Sequence, residues 1–173
     1  MRGTTMGTFG LYAMLLSALL MSGCEKAEVT AQPEELKPGT ACSLDGMLLL
    51  DYPGPKAQIH YANGETEFFC DTTEMFSMLL APEQQRKISA AYTQDMGQED
   101  WRKPTGHWID ARTAFYVKDS TSMGSMGPTF AAFAKQADAE AFIKQHGGTL
   151  YRFDEVTPDM ADLRGGAHHD HNM

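Results

Sequence analysis

Short apolar runs alternate along the middle of the chain with polar stretches that are rich in glycine, proline and asparagine. The first run, residues 47–52, predicts a strand. Residues 57–69 alternate between apolar and polar positions around Asn63-Gly64, a dipeptide that tolerates the positive φ angles of a tight turn. This pattern predicts a β-hairpin, and residues 90–95 predict a further strand.

Between the hairpin and that further strand, the pattern changes to helical spacing. Asp71, with Glu74 three residues later, is typical of a capping box, in which a side chain accepts hydrogen bonds from the first turn of a helix. Met75 and Met78 follow at helical spacing. We therefore expect a helix after Asp71, with both methionines in the core.

The second half of the chain repeats this order of elements without appreciable sequence identity. Asp138 is expected to cap the second helix, and Gly147-Gly148 is expected to end it. The predicted elements are a strand at 108–118, a glycine-rich turn at 123–128, a strand at 129–134, a helix at 139–146 and a strand at 149–156. The chain therefore predicts an α+β fold, with two β-β-α(-β) units in one compact domain.

The N-terminus has the pattern of a lipoprotein signal peptide. Arg2 precedes an apolar run at residues 9–21 that is too short to cross a bilayer as a helix, and small residues then lead to Cys24. This pattern predicts cleavage before Cys24 and a lipid anchor on it, although a signal peptide with a chance cysteine is an alternative. Glu25, in place of aspartate, favours the outer membrane over the inner membrane.

Composition divides the chain into four parts. We expect a lipoprotein signal peptide at 1–23, a flexible tether with the lipidated cysteine at 24–39, a folded domain at 40–157 and a disordered tail at 158–173. The tail contains three histidines and a terminal methionine, a composition that binds Cu(II), Zn or Ni weakly.

Charge and motifs exclude several classes of function. The chain has a formal net charge of −9, whereas binding to nucleic acid or to an anionic membrane surface requires clusters of lysine and arginine. The sequence contains no P-loop, GxGxxG, CxxC or nucleophile-elbow motif. We therefore expect neither a nucleic-acid partner nor an enzyme.

Soft sulfur side chains are the candidate metal ligands. Thiolates and thioethers favour Cu(I) over Zn, Mg or Ca, and Cys42 lies five residues before a methionine. Several methionines fall outside the apolar periodicity and lie next to glycine, which is typical of a loop or strand end rather than of a packed element. They are Met47, Met96, Met123 and Met126.

The sequence alone leaves the state of the cysteines open. If Cys24 is acylated, Cys42 and Cys70 remain, and two cysteines in an oxidising compartment form a disulfide by default. A disulfide would remove the thiolate and abolish soft-metal binding. Cys70 would also suit a small buried thiol, so Cys42 is the stronger ligand candidate.

Six segments, taken in order over residues 40–157, resemble the NosL family of copper-chaperone lipoproteins for nitrous oxide reductase. These segments are CSLDGMLLLDYPGPKAQ, FFCDTTEM, DMGQEDWRKP, GHWIDARTAFYV, MGSMGPTFAAFAKQADAEAF and HGGTLYRFDEV. The resemblance implies a fold like that of NosL and organomercurial lyase, built from β-β-α units. It also implies a periplasm-facing, membrane-anchored protein that delivers Cu(I) for maturation of the reductase's copper–sulfur centre in denitrification. The implied partners are the reductase and the Nos ABC-transporter assembly.

One departure from the family affects the choice of ligands. Many members have Cys-x-x-Cys-Gly-Met where this chain has Cys42-Ser-Leu-Asp45-Gly46-Met47. A carboxylate is a hard ligand that suits Cu(I) poorly, so we expect Cys42 and Met47 as ligands instead of Asp45.

The resemblance implies Met126 as the third ligand, followed by Met96 and Met123. Met123 ranks lower because family members often keep the counterpart of Met126 but not that of Met123. The alternative hypothesis is a thiol-dependent enzyme, either a disulfide reductant or a lyase, that uses Cys42 and Cys70.

Overall fold

Two antiparallel sheets, each with one α-helix, and a separate two-stranded ribbon form the domain in the computed structural model, which describes residues 31–163. The elements in chain order are β1 (Ala57–Tyr61), β2 (Thr66–Phe69), α1 (Thr72–Leu80), β3 (Ile88–Gln94), β4 (Trp108–Asp110), β5 (Phe115–Lys118), β6 (Met123–Gly124), β7 (Gly127–Pro128), β8 (Ala131–Phe133), α2 (Gln136–His146) and β9 (Thr149–Arg152). Neither helix is long and apolar enough to cross a bilayer.

The two units share one topology, as the sequence predicted. The first sheet has the order β2-β1-β3-β4 and the second has the order β8-β5-β9. In each unit a strand pairs with the next main strand, a helix follows, and the strand after the helix pairs with the other side of the first strand. The first hairpin turns at Asn63-Gly64, where Gly64 has a φ of 88°. The prediction of an α+β fold with two β-β-α-β units is confirmed.

Three predicted strands differ in extent from the observed elements. Residues 47–52 contain a 3-10 helix at Leu49–Asp51 instead of a strand, and Leu49 is the one buried residue of that turn. Pro53, which follows closely, cannot donate a backbone hydrogen bond to a neighbouring strand. Residues 108–118 are divided by a turn in which the Asp110 side chain accepts from the backbone of Arg112, so β4 and β5 belong to different sheets. The last strand ends at Arg152 and continues as a second 3-10 helix.

The predicted caps are correct in part. Asp71 is the N-cap of α1, and its carboxylate accepts a hydrogen bond from the backbone N–H of Thr73. Gly147 ends α2 with a φ of 68°, as expected. Asp138 is not the N-cap of α2, because that helix begins at Gln136, directly after its N-cap Lys135. Asp138 lies within the first turn, where a carboxylate still interacts favourably with the helix dipole.

Both ends of the folded domain extend beyond the predicted boundaries of 40 and 157. The backbone N–H of Glu34 donates to the Gln58 side chain, which donates in return to the Glu34 carbonyl. Residues Pro158–Ala161 form a 3-10 helix whose Ala161 is buried in the core. Glu34, Leu36 and the turn at Pro158–Ala161 therefore contact the domain, whereas Cys24 and the histidines of the tail lie outside the described residues.

An aromatic core joins the two units. Phe76 of α1 packs edge-on against Tyr116 of β5, with ring centroids 4.8 Å apart, and against Phe130 at 5.0 Å. Met75 is buried in this core and Met78 packs against it, which confirms the prediction for both methionines. Because α1 belongs to the first unit and β5 to the second, this cluster makes the two units one domain.

The β6–β7 ribbon lies directly against the start of α1, and glycine is required for this approach. An added Cβ on Gly124 would lie 2.2 Å from Oδ2 of Asp71 and 2.9 Å from Cβ of Thr129. Both neighbours are buried, and Thr129 donates to Asp71. No side chain fits between the ribbon and the cap of α1.

We predict that Gly124→Ala lowers the free energy of unfolding by about 1–3 kcal/mol, because the methyl group overlaps buried atoms. Urea denaturation of the purified protein measures this change. The matched control is Gly106→Ala, where the nearest atom to the added Cβ is 3.5 Å away and the expected effect is below about 0.5 kcal/mol. Equal stability of the two variants would contradict the close contact.

Candidate metal centre

Cys42 and Met47 are held at the two ends of a closed loop. The backbone N–H of Cys42 donates to the Met47 carbonyl at 2.8 Å, and Gly46 donates to the Cys42 carbonyl at 3.0 Å. The Asp45 carboxylate accepts from the backbone of Met47 at 2.9 Å, and Gly46 has a φ of 79°. Asp45 and Gly46 therefore form the turn that brings the thiol and the thioether together.

Cys70 lies beside this loop, at the end of β2. The backbone N–H of Ser43 donates to the Phe68 carbonyl at 2.8 Å, which aligns the Cys42 loop with the edge of β2. Cys42 and Cys70 are both buried free thiols, and they pack in one cluster with Met47 and Leu49. Of the two alternatives that the sequence left open, the structure has the pair of thiols.

Glu74 joins the two cysteines from the first turn of α1. Its Oε2 lies 3.2 Å from Sγ of Cys42 and 3.3 Å from Sγ of Cys70, and it accepts the backbone N–H of Cys70 at 3.1 Å. The predicted capping box is thus half present, because Glu74 reaches Cys70 rather than the backbone of Asp71. With Asp45, whose Oδ2 is 3.9 Å from Sγ of Cys70, the four side chains place one donor atom each within 4.8 Å of one another.

The three inner groups of this cluster titrate unusually. A hydrogen bond from the Cys70 thiol lowers the pKa of Cys42 from 9.0 to about 6, against the effect of burial. The same hydrogen bond and burial raise the pKa of Cys70. Burial and the nearby Cys42 raise the pKa of Glu74 from 4.5 to about 8. At neutral pH the site therefore holds a Cys42 thiolate, a Cys70 thiol and a protonated Glu74.

One predicted methionine ligand packs in the thiol cluster, and another lies on a ribbon that contacts this cluster. Met47 is half-buried and packs against the cluster that contains both cysteines. Met126 is 50% exposed and lies in the β6–β7 ribbon, whose Ser125 hydroxyl donates to the Cys70 carbonyl. Met123, at the start of the ribbon, is 52% exposed. The ribbon therefore carries two exposed thioethers and contacts the thiol cluster through the Cys70 carbonyl.

Met96 lies apart from the other predicted ligands. It is only 9% exposed and packs with Val117, Phe133 and Ala139 in a separate apolar cluster between α2 and the second sheet. The expectation that Met96 sits outside a packed element is wrong, because the chain after β3 turns inward and its backbone N–H donates to the Ala132 carbonyl. Its role as a ligand stays a prediction.

The sequence pattern indicated a capping role for Glu74, Asp45 was set aside as a hard ligand, and Cys70 was placed below Cys42, whereas the structure brings all four side chains together. Glu74 follows Cys70 by four residues at the start of a predicted helix, a spacing that places two side chains on one face. The spacing of Cys70 and Glu74 was therefore visible in the sequence, but Glu74 was interpreted as part of a helix cap. No local pattern connects Glu74 with Cys42, which lies 32 residues away in the sequence.

The donor atoms suit a soft, thiophilic metal ion. Two thiols and a thioether are ligands that favour Cu(I) over harder ions. Within residues 31–163, this is the one group of three or more cysteine, histidine or acidic side chains with converging donor atoms.

Comparisons with known proteins point to one family. The NosL family model matches residues 33–161. The copper-binding lipoprotein NosL of Stutzerimonas stutzeri is 38% identical to this chain, and the match covers 95% of this chain and 90% of the relative. The copper-binding lipoprotein NosL of Achromobacter cycloclastes is 33% identical, and that match covers 86% of this chain and 81% of the relative. The crystal structure of the copper chaperone NosL from Shewanella denitrificans is similar with a TM-score of 0.71 and 41% identity, covering 74% of this chain and 97% of that one.

A pH titration of the ultraviolet absorbance of thiolates tests the protonation of Cys42 and Cys70. The protein for this measurement is a soluble form that begins at Glu25 and retains these two cysteines. We predict that one thiolate appears with a midpoint near pH 6 and that Cys70→Ala returns this midpoint toward 9.0, because the substitution removes the donor to Cys42. Cys42→Ser serves as the control and should abolish the low-pH rise. A wild-type midpoint near 9.0 would contradict the assignment.

Proposed function

Since the chain belongs to the NosL family, we propose that it binds Cu(I) and passes the ion to another protein without chemical turnover. The observation that supports this proposal is the meeting of two free thiols and the Met47 thioether at the edge of the domain. Thiolate and thioether donors favour Cu(I) over harder ions. Cys42 is already a thiolate at neutral pH, so copper binding there does not have to displace a thiol proton.

The ligands of the proposed site are Cys42, Met47 and Met126. Cys42 is 4% exposed and anchors the ion, whereas Met126 lies on the exposed ribbon. A partner's ligand can therefore replace the outer thioether first and the inner thiolate last. Met96 would have to leave its packed cluster to join this set, which makes it the least favoured of the four predicted ligands.

The place of delivery follows from the family. We infer that a lipid on Cys24 anchors the chain to the membrane, facing the periplasm, in the outer rather than the inner membrane. The recipients are nitrous oxide reductase and the Nos ABC-transporter assembly, and the copper serves maturation of the reductase's copper–sulfur centre in denitrification. The segment that leads from Cys24 into the domain contacts β1, where the backbone N–H of Glu34 donates to the Gln58 side chain.

The relatives also bear on the enzyme hypothesis. They are named for copper binding and for copper chaperone activity, and the chain is accordingly a non-enzymatic accessory protein. The alternative of a thiol-dependent enzyme would use Cys42 and Cys70 but would not need the methionines. Substitution of a methionine therefore separates the two hypotheses.

Competition with a chromogenic Cu(I) chelator, under reducing and anaerobic conditions, tests the proposed site in the soluble form that begins at Glu25. We predict that Cys42→Ser and Met47→Leu each weaken Cu(I) binding by at least about tenfold, because each removes a sulfur donor. The matched control is Met78→Leu, which replaces a thioether that packs against the core. This control should leave the affinity for Cu(I) unchanged.

A deletion of the residues after Arg164 separates the site from the histidine-containing tail. Tight binding that survives this deletion and is lost in Cys42→Ser supports the proposal. If the wild-type protein does not compete for Cu(I), or if competition disappears only with the tail, the chaperone site is not at Cys42.

A further inference from the structure

The outer face of β1 is buried, although it points away from the hydrophobic core. Ala57, Ile59 and Tyr61 of this strand belong to the core. Gln58 and His60 alternate with them along the strand and therefore lie on the opposite face, which is solvated in many antiparallel sheets. Both polar side chains are nevertheless buried, with 0% and 4% of their surface exposed. Another segment of the chain therefore covers this face.

Residues 31–36, which we call the strap, lie across this outer face. The Tyr92 hydroxyl of β3 donates to the Ala31 carbonyl at 2.5 Å. On β1, the Gln58 side chain accepts from the backbone N–H of Glu34 at 2.8 Å and donates to the Glu34 carbonyl at 3.0 Å. Gln58 and Tyr92 are partners in the register of the two strands. The strap therefore begins over β3 and crosses to β1.

The strap continues over β2 and ends at the thiol cluster. The Thr66 hydroxyl of β2 donates to the Glu34 carboxylate at 2.7 Å. Two residues later, Leu36 packs against the cluster that contains Cys42 and Cys70. Because the sheet has the order β2-β1-β3-β4, these contacts follow one another from strand to strand. The segment that leads from the N-terminus into the domain is thus fastened over three strands and supports the candidate metal centre at its end.

The docked strap shortens the tether between the proposed lipid anchor and the domain. Ala31 lies seven residues after Cys24, and seven extended residues span at most about 25 Å. If the strap were released as far as Lys37, where a turn to Thr40 begins, the free tether would be thirteen residues long and would span up to about 45 Å. Docking of the strap therefore limits how far the thiol cluster can move from the membrane that holds Cys24.

We propose that the strap positions the copper site: by docking across the first sheet, it holds the domain close to its membrane anchor and packs Leu36 against the thiol cluster. Gln58 is the positioning residue that fastens it, because its amide pairs with both backbone groups of Glu34. This inference rests on the proposed function, since the lipid on Cys24 and the copper cargo belong to that proposal. Release of the strap extends the reach of the site and removes Leu36 from the cluster in one step.

The test uses the full chain, purified in detergent and reconstituted into phosphatidylcholine vesicles that contain dansyl-labelled phosphatidylethanolamine. Gln58→Leu removes the amide but keeps an apolar side chain of similar size, whereas Glu34→Pro removes the N–H that the strap donates. We expect energy transfer from the two tryptophans to the dansyl groups to fall in both variants, because a longer tether lets the domain move away from the bilayer. In Gln58→Leu, the Glu34 amide should exchange its hydrogen at least about tenfold faster than in the wild type.

Alkylation of Cys42 by iodoacetamide, in the absence of copper, reports whether Leu36 still packs against the thiol cluster. Mass spectrometry of the peptide that contains Cys42 gives the rate for this cysteine alone. We expect the rate to rise at least about threefold in Gln58→Leu and in Glu34→Pro, because release of the strap opens the packing around a thiol that is 4% exposed.

The matched control is Gln136→Leu, which makes the same change on the exposed surface of α2 and should leave all three measurements unchanged. Chemical denaturation gives the folded fraction of each variant, and Glu34→Pro, at an exposed residue, decides the test if Gln58→Leu does not fold. Wild-type energy transfer and wild-type alkylation of Cys42 in a folded variant would overturn the proposal. A wild-type chain that does not bind the vesicles would instead overturn the proposed lipid anchor, and hydrogen exchange and alkylation would still decide whether the strap holds Leu36 at the site.

Discussion

The contact of the Glu74 carboxyl group with the thiols of Cys42 and Cys70 ties the position of the site to the position of the first helix. Glu74 lies in the first turn of α1, so the positions of Cys42 and Cys70 are defined relative to that helix. The same helix places Phe76 between Tyr116 and Phe130 of the second unit. Packing of the aromatic core and assembly of the sulfur cluster therefore both depend on α1. A displacement of this helix would disturb the core and the cluster together.

Local patterns predicted most of the architecture. Asn63-Gly64 located the first hairpin, Asp71 located the start of α1 and Gly147 located the end of α2, because turns and caps depend on the conformational preferences of a few adjacent residues. Strand lengths were less predictable. The apolar run around Leu49 has strand composition, yet it has no neighbouring strand along its length and closes into a 3-10 turn.

The site required information that no local pattern contains. Cys42 and Met47 were found because they lie on one short loop, whereas their association with Cys70 and Glu74 arises from the alignment of that loop with β2. Met96 shows the opposite failure. Its glycine neighbour indicated a loop, which is correct for the backbone, but the side chain fills a gap between α2 and the second sheet. Burial of a single side chain depends on the whole fold.

The β6–β7 ribbon is attached to the domain mainly through its backbone. Trp101 donates to the carbonyl of Met123, Gly124 and Gly54 approach each other closely, and the two short strands pair with each other. None of these contacts depends on the side chains of Met123 or Met126. Substitutions at these two positions can therefore change the chemistry of an exposed surface while the fold stays intact. Natural selection can vary these two side chains independently of folding.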